Sequence, residues 1–227
     1  MGGGESTLRR EDLEVYEACT CLSGAEILEL YEKFTDLGGI RAAASSSSKV
    51  VRGYGAELRS AAAGGDAEAG GAASETMTGK KIKKAAFIKQ SEFYNNPFAG
   101  RLCEIFSSEE ANSDTWGDLT FDEYVDIYNV MSPRATKEVK VHAAFRLYDF
   151  DANGYLTHDD IAGLLKTIAK PPGKKKELLN DAEIKDIVDR VMRDCDIDGN
   201  SRLSYAEFSK VIARIPEFEG NFRVYIQ

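Results

Sequence analysis

The sequence predicts an all-α fold: four helix–loop–helix units in two lobes, two with intact cation loops and two with degenerate ones. Three observations predict it. An oxygen-rich stretch of 12 residues, Asp196–Glu207, spaces its polar side chains as a coordination shell for a hard cation. A second stretch, Asp149–Asp160, repeats that spacing. Apolar residues flank both at equal offsets: Val141, Ala144, Phe145 and Tyr148 lead into the first, and Val188, Val191, Met192 and Cys195 into the second. Ile161, Leu164, Leu165 and Ile168 come after the first; Phe208, Val211, Ile212 and Ile215 come after the second. Each set is one stripe at helical spacing, so each loop lies between two amphipathic helices.

From the N-terminus, Met1-Gly2-Gly3-Gly4-Glu5-Ser6 fits the N-myristoylation pattern, with Gly2 as acceptor after removal of Met1. One acyl chain anchors only marginally. Lys80, Lys81, Lys83, Lys84 and Lys89 would add a second signal by attraction to anionic lipid, a membrane-surface contact; the plainer reading is a solvated loop end. The first entering helix carries Ile27, Leu30, Tyr31 and Phe34, and the residues after it show no ligand pattern. Residues 38–86 are rich in Ala, Gly and Ser and lack a sustained stripe, so they read as a mobile insertion in this first unit.

The next two stripes are Ala99, Leu102, Cys103, Phe106 and Tyr124, Ile127, Tyr128, Met131. They enclose 17 residues, Ser107–Glu123, where an intact loop has 12. Counting back from Glu123 as position 12 puts Asn112 at position 1 and Trp116 at position 5. An indole cannot coordinate a hard cation, so this loop is expected to be silent. The N-terminal lobe is assigned to residues 1–131, and the C-terminal lobe with its tail to 132–227, with the boundary near Ser132-Pro133.

In the first intact loop Asp149, Asp151 and Asn153 hold positions 1, 3 and 5, and Tyr155 at position 7 offers its main-chain carbonyl. Thr157 at position 9 acts at one remove or through water, Gly154 makes the turn and Leu156 is the apolar position 8. Asp160 closes the loop with a carboxylate one methylene shorter than Glu, which favours six-coordinate Mg²⁺ and weakens Ca²⁺.

The second intact loop repeats the set with Asp196, Asp198, Asn200, the Arg202 carbonyl, Ser204 and a clamping Glu207. A rival register starting at Asp194 puts Ser201 at the apolar position 8 and Tyr205 at position 12, so it fails. The Asp196 register has one departure, Ser201 where Gly makes the turn, which requires a left-handed Ser. Helix, 12-residue loop and helix together form an EF-hand.

A net charge of −9 argues against nucleic acid as a partner. Cys19, Cys21, Cys103 and Cys195 have no metal-site spacing and read as reduced thiols. No apolar run reaches transmembrane length, and a cytoplasmic protein is expected, held peripherally at membranes through the N-myristoyl group. No nucleophile–base pair or phosphate cradle stands near the loops, and His142 and His158 are isolated, so the chain is not expected to be an enzyme.

The Met1-Gly2 start, Tyr16-Glu17-Ala18-Cys19-Thr20, Glu26-Ile27-Leu28, Asn96-Pro97-Phe98, Phe121-Asp122-Glu123-Tyr124, the run Ala144 to Asp151 and the ending Pro216-Glu217-Phe218 with Phe222 together resemble the calcium- and integrin-binding family. The resemblance covers nearly all of the chain outside 38–86. Calcineurin B and recoverin-type sensors share the plan, but their ends and loop sets match less well. The resemblance implies four EF-hands, with Ca²⁺ or Mg²⁺ in the last two. It also implies recognition of helical cytoplasmic segments, such as integrin α tails or segments of kinases, through an apolar groove. In the absence of a partner, the tail residues Phe218, Phe222, Val224, Tyr225 and Ile226 would occupy that groove. The competing readings are a calcineurin-B-like regulatory subunit and a cytosolic calcium buffer.

Overall fold

The computed structural model describes residues 8–39, 80–170 and 178–226. Gly2 and most of the 38–86 segment lie outside them. Every named element among the described residues is helical: α1 Arg10–Cys19, α2 Gly24–Asp36, α3 Lys84–Phe87, α4 Ala99–Phe106, α5 Phe121–Met131, α6 Lys137–Tyr148, α7 His158–Ala169, α8 Asp181–Cys195, α9 Tyr205–Ala213 and α10 Phe218–Asn221. The expected stripes all fall within these helices except Ile215, which lies just past the end of α9.

Helix starts obey one local rule. In α5, α7 and α9 the loop's position-9 hydroxyl (Thr120, Thr157, Ser204) caps the helix, and the position-12 carboxylate (Glu123, Asp160, Glu207) reaches back to close a capping box. One residue pair thus starts the helix and ends the loop.

The loops pair through antiparallel bridges at position 8. Leu156 and Leu203 exchange main-chain hydrogen bonds of 2.9 and 2.8 Å, and Ile82 and Leu119 do so at 2.9 and 3.0 Å. The second bridge corrects the expected insertion. Residues 80–86, assigned to its end, instead carry the Ile82 bridge, with Ile82 fully buried, and the start of α3. One apolar residue suffices for a position-8 bridge, and among Lys80, Lys81, Lys83 and Lys84 it raises no stripe. Helices α1, α3 and α10 carry no stripe in the sequence: α1 buries only Asp12 and Tyr16, and α3 and α10 have four residues each.

The core is one continuous cluster running from Tyr16 to Val224. Phe121 organises its N-terminal part, with Tyr16, Tyr31 and Phe34 rings at 5.5, 5.4 and 5.3 Å in edge-on contact. Ile27, Leu30, Phe34, Leu102 and Ile127 are all within 1% of complete burial. At about 1.5–3 kcal/mol per side chain of this size, burial holds that half closed. The C-terminal half is less tightly covered: Leu165 and Val191 are half-buried, while Ile168 and Ile215 are 52% and 41% exposed.

Candidate metal centre

Each intact loop gathers its carboxylates to one point. The oxygens of Asp149, Asp151 and Asp160 lie within 4.8 Å of one another, as do those of Asp196, Asp198 and Glu207. The main chain shapes each cluster. Asp149 ends α6 and accepts the Asn153 and Gly154 N–H groups at 3.1 and 2.9 Å; Asp196 ends α8 and accepts those of Gly199, Asn200 and Ser201 at 2.8, 3.2 and 2.8 Å. Asp194 lies within α8 and is exposed, so the loop starts two residues later. Asp151 and Asp198 each bind their loop's position-5 amide, Asn153 or Asn200, at 2.8 and 2.9 Å. The Asn153 and Asn200 oxygens accept the Tyr155 and Arg202 N–H groups at 2.8 and 3.0 Å.

The closing carboxylates straddle their loops. Asp160 accepts from the Phe150 N–H at 2.9 Å with one oxygen, and from the Thr157 N–H and hydroxyl at 2.9 and 2.6 Å with the other. Glu207 takes the Ile197 N–H at 2.8 Å and the Ser204 N–H and hydroxyl at 2.9 and 2.7 Å. Both therefore bind the same pair of loop positions, despite the missing methylene in Asp160. Thr157 and Ser204 serve these carboxylates as donors. Tyr155 and Arg202 turn their side chains away and stack, guanidinium over ring at 3.8 Å, linking the two loops beside the Leu156–Leu203 bridge.

The electrostatics fit a cation. Burial pushes the Asp149 carboxyl above its ordinary range, and the neighbouring Asp151 and Asp160 push it further against the opposing Gly154 and Asn153 N–H groups. Glu207 falls to about 2, because the Ser204 N–H and hydroxyl and the Ile197 N–H stabilise its charge. A set of acidic and amide oxygens with no nitrogen or sulfur suits Ca²⁺ or Mg²⁺ rather than zinc.

The turn positions match as well. Gly154 has φ +83° and Ser201 has φ 64°, so the serine holds the left-handed backbone anticipated for it.

The 107–123 loop keeps both ends and loses its middle. The Ser108 N–H donates to Glu123 at 2.7 Å, the same bond that Phe150 and Ile197 make in the intact loops. Its first half therefore counts from Ser107, and its second half counts back from Glu123 through Leu119 and Gly117 (φ +88°). Three of the five lysines read as solvated or lipid-facing, Lys81, Lys83 and Lys84, sit on carboxylates. Lys83 binds Asp118 at 2.8 Å, Lys81 pairs with Glu109 and Lys84 with Glu104. Ammonium groups supply in this half the positive charge that a cation would supply in the other.

One contact was not legible in the sequence, and the course of the tail was implied only by the family resemblance. Arg101 of α4 donates to the Asp149 carbonyl and lies 5.4 Å from the Phe150 ring, tying the N-terminal half to the first intact loop. A cavity of about 230 Å³ lies between Phe98, Met131, Leu147 and Tyr148 on one side and the tail rings Phe218 and Phe222 on the other. The tail is held there by the Val224 N–H on the Met131 carbonyl at 2.8 Å and by the Lys140 ammonium on the Phe222 carbonyl at 2.9 Å.

Comparison with known proteins agrees with this anatomy. The family model for an EF-hand domain pair matches residues 138–213, which contain both acidic clusters. Calcium and integrin-binding family member 2 of Drosophila melanogaster is 30% identical over 226 residues, covering 100% of both chains. The proteins of that name from Danio rerio and Homo sapiens are 26% and 25% identical, again over 100% of each chain. With an EF-hand pair, two acidic loops and full-length similarity to these proteins, the chain belongs to the calcium and integrin-binding family.

Proposed function

We propose that the protein is a calcium-binding regulatory adaptor, with cations in the 149–160 and 196–207 loops and a groove that grips an amphipathic helix of a partner. Asp149, Asp151, Asn153, the Tyr155 carbonyl and Asp160 would hold one ion, and Asp196, Asp198, Asn200, the Arg202 carbonyl and Glu207 the other, with Thr157 and Ser204 behind them. A bound divalent ion supplies the charge that relieves carboxylate repulsion in each cluster. Ca²⁺ suits the Glu207 loop, and the shorter Asp160 suits Mg²⁺.

The observation that carries the adaptor reading is the cavity closed by Phe218 and Phe222. Their rings stack at 5.4 Å on a segment joined to the core, among the described residues, by one backbone hydrogen bond, from the Val224 N–H to the Met131 carbonyl. An aromatic segment in a groove flanked by half-buried apolar residues is a replaceable occupant, and an amphipathic helix presents the same chemistry. Cytoplasmic segments of membrane proteins, integrin α tails among them, and helical segments of kinases are the proposed partners. Myristoylation of Gly2 would bring the adaptor to the membrane that carries them.

The test is fluorescence anisotropy of a labelled integrin α-tail peptide with the full chain in Ca²⁺, in Mg²⁺ and in chelator. Cation-dependent binding is expected. Cation uptake without peptide binding would instead favour a calcium buffer. Gly2→Ala is expected to move the protein from membranes to the soluble fraction, and an unchanged distribution would remove the lipid anchor from this reading.

A further inference from the structure

We infer that Arg101 of α4 is a positioning residue for the first cation loop, capping its first residue from the N-terminal half so that the loop is formed before a cation binds. This rests on the reading that the 149–160 loop holds a cation.

The two intact loops begin alike. Asp149 and Asp196 each end a helix with nearly the same backbone, φ −77° and ψ 88° in one, φ −77° and ψ 98° in the other. A carbonyl at a helix C-terminus lacks an intrahelical partner. At Asp149 the Arg101 guanidinium supplies one, donating to that carbonyl and lying 5.4 Å from the ring of the next residue, Phe150. At Asp196 no side chain among the described residues donates to the carbonyl. The residue after it, Ile197, is 68% exposed, against 38% for Phe150. One loop is anchored at its start and the other is bare.

Arg101 is kept in place at a cost. Its side chain is 14% exposed, and its Nε is buried with no hydrogen-bond partner among the described residues. An unmet buried donor destabilises the fold, so its retention points to what the rest of the guanidinium does. Glu104 lies 3.5 Å from the amino group that does not meet Asp149, and it also pairs with Lys84. Leu102 and Cys103 of the same helix are fully buried or nearly so. The mount of Arg101 is therefore ion pairs and apolar core, and neither needs a cation. A loop of repelling carboxylates already held at its first residue loses less freedom when the ion arrives, so it binds more tightly. The guanidinium charge opposes this by repelling the ion. Its fork meets main chain and shares its charge with Glu104, so the anchoring effect is the larger.

The experiment titrates the full chain with Ca²⁺, and separately with Mg²⁺, following the amide NMR signals of Gly154 and Ser201. There is one such amide per loop, and their N–H groups donate to Asp149 and Asp196. Arg101→Met is expected to weaken binding of either ion at Gly154 about tenfold, while Ca²⁺ binding at Ser201 changes by less than about twofold. Arg101→Lys, which keeps one donor, should recover part of the loss. A merely structural role would weaken both loops together. Equal weakening in both loops, or tighter binding at Gly154 in the Met variant, overturns the inference. A second measurement needs no variant. In chelator, the Phe150 amide, bound to Asp160 at 2.9 Å, should exchange about tenfold more slowly than the Ile197 amide, bound to Glu207 at 2.8 Å. Equal exchange at these two amides also overturns the inference. No response at Gly154 to either ion in the parent chain overturns the cation reading of that loop itself.

Discussion

Ser201 carries a backbone conformation that its counterpart Gly154 adopts freely: φ is 64° at the serine and +83° at the glycine. A left-handed residue with a Cβ costs about 1–2 kcal/mol, partly offset by the greater unfolded-state freedom of glycine. Ser201→Gly is therefore expected to stabilise the loop by about 0.5–1 kcal/mol, raising Ca²⁺ affinity in calorimetry. Asp160→Glu tests the other end of the ligand set. The added methylene should shift the first intact loop toward Ca²⁺ in competition titrations against Mg²⁺. Unchanged selectivity would mean that Asp160, which already spans the same loop positions as Glu207, reaches far enough as it is.

Glu207 titrates in the folded chain near 2 instead of its ordinary 4.5. A depressed carboxyl contributes stability above its unfolded pKa and loses it as pH falls through the folded one. The melting temperature of the chelated protein should fall across that window, and less so in Glu207→Gln. At this scale the ligand positions were readable because coordination imposes a linear spacing. Arg101 and Lys140 were not, because their partners Asp149 and Phe222 are 48 and 82 residues away in sequence.

At the scale of elements, the stripes at helical spacing found the helices that flank the loops. They missed α1, which buries too little, the four-residue α3 and α10, and the Ile82–Leu119 bridge, which needs only one apolar residue on each side. The two loop pairs solve one problem differently. The C-terminal pair concentrates carboxylates whose charge a bound cation would offset; the N-terminal pair sets Lys81, Lys83 and Lys84 against Glu109, Asp118 and Glu104. Unit charges about 4 Å apart repel by roughly 4 kcal/mol at an effective dielectric of 20, so removing the ion loosens the first arrangement and leaves the second unchanged. Hydrogen exchange should accordingly accelerate in α6–α9 when chelator replaces Ca²⁺, and stay constant in α4 and α5. Equal acceleration in both halves would show that the ion pairs do not substitute for a cation.

At the scale of the whole molecule, a single core joins the two loop pairs, Arg101 touches the first intact loop, and the tail returns to the seam between α5 and α6. The order of the two intact loops and of the helices that carry apolar stripes was legible in the sequence. The tail's course was implied only through family resemblance, because a short aromatic segment carries no period that says where it docks. The proposed adaptor function requires that a partner helix take the tail's place. Its most direct test is the exchange rate of the Val224 amide, bound at 2.8 Å to the Met131 carbonyl, in Ca²⁺ with and without a helical partner peptide. Release of the tail predicts fast exchange at Val224 when peptide is bound, with the α5 amides still protected. A Val224 amide that stays protected while the peptide binds would contradict the account.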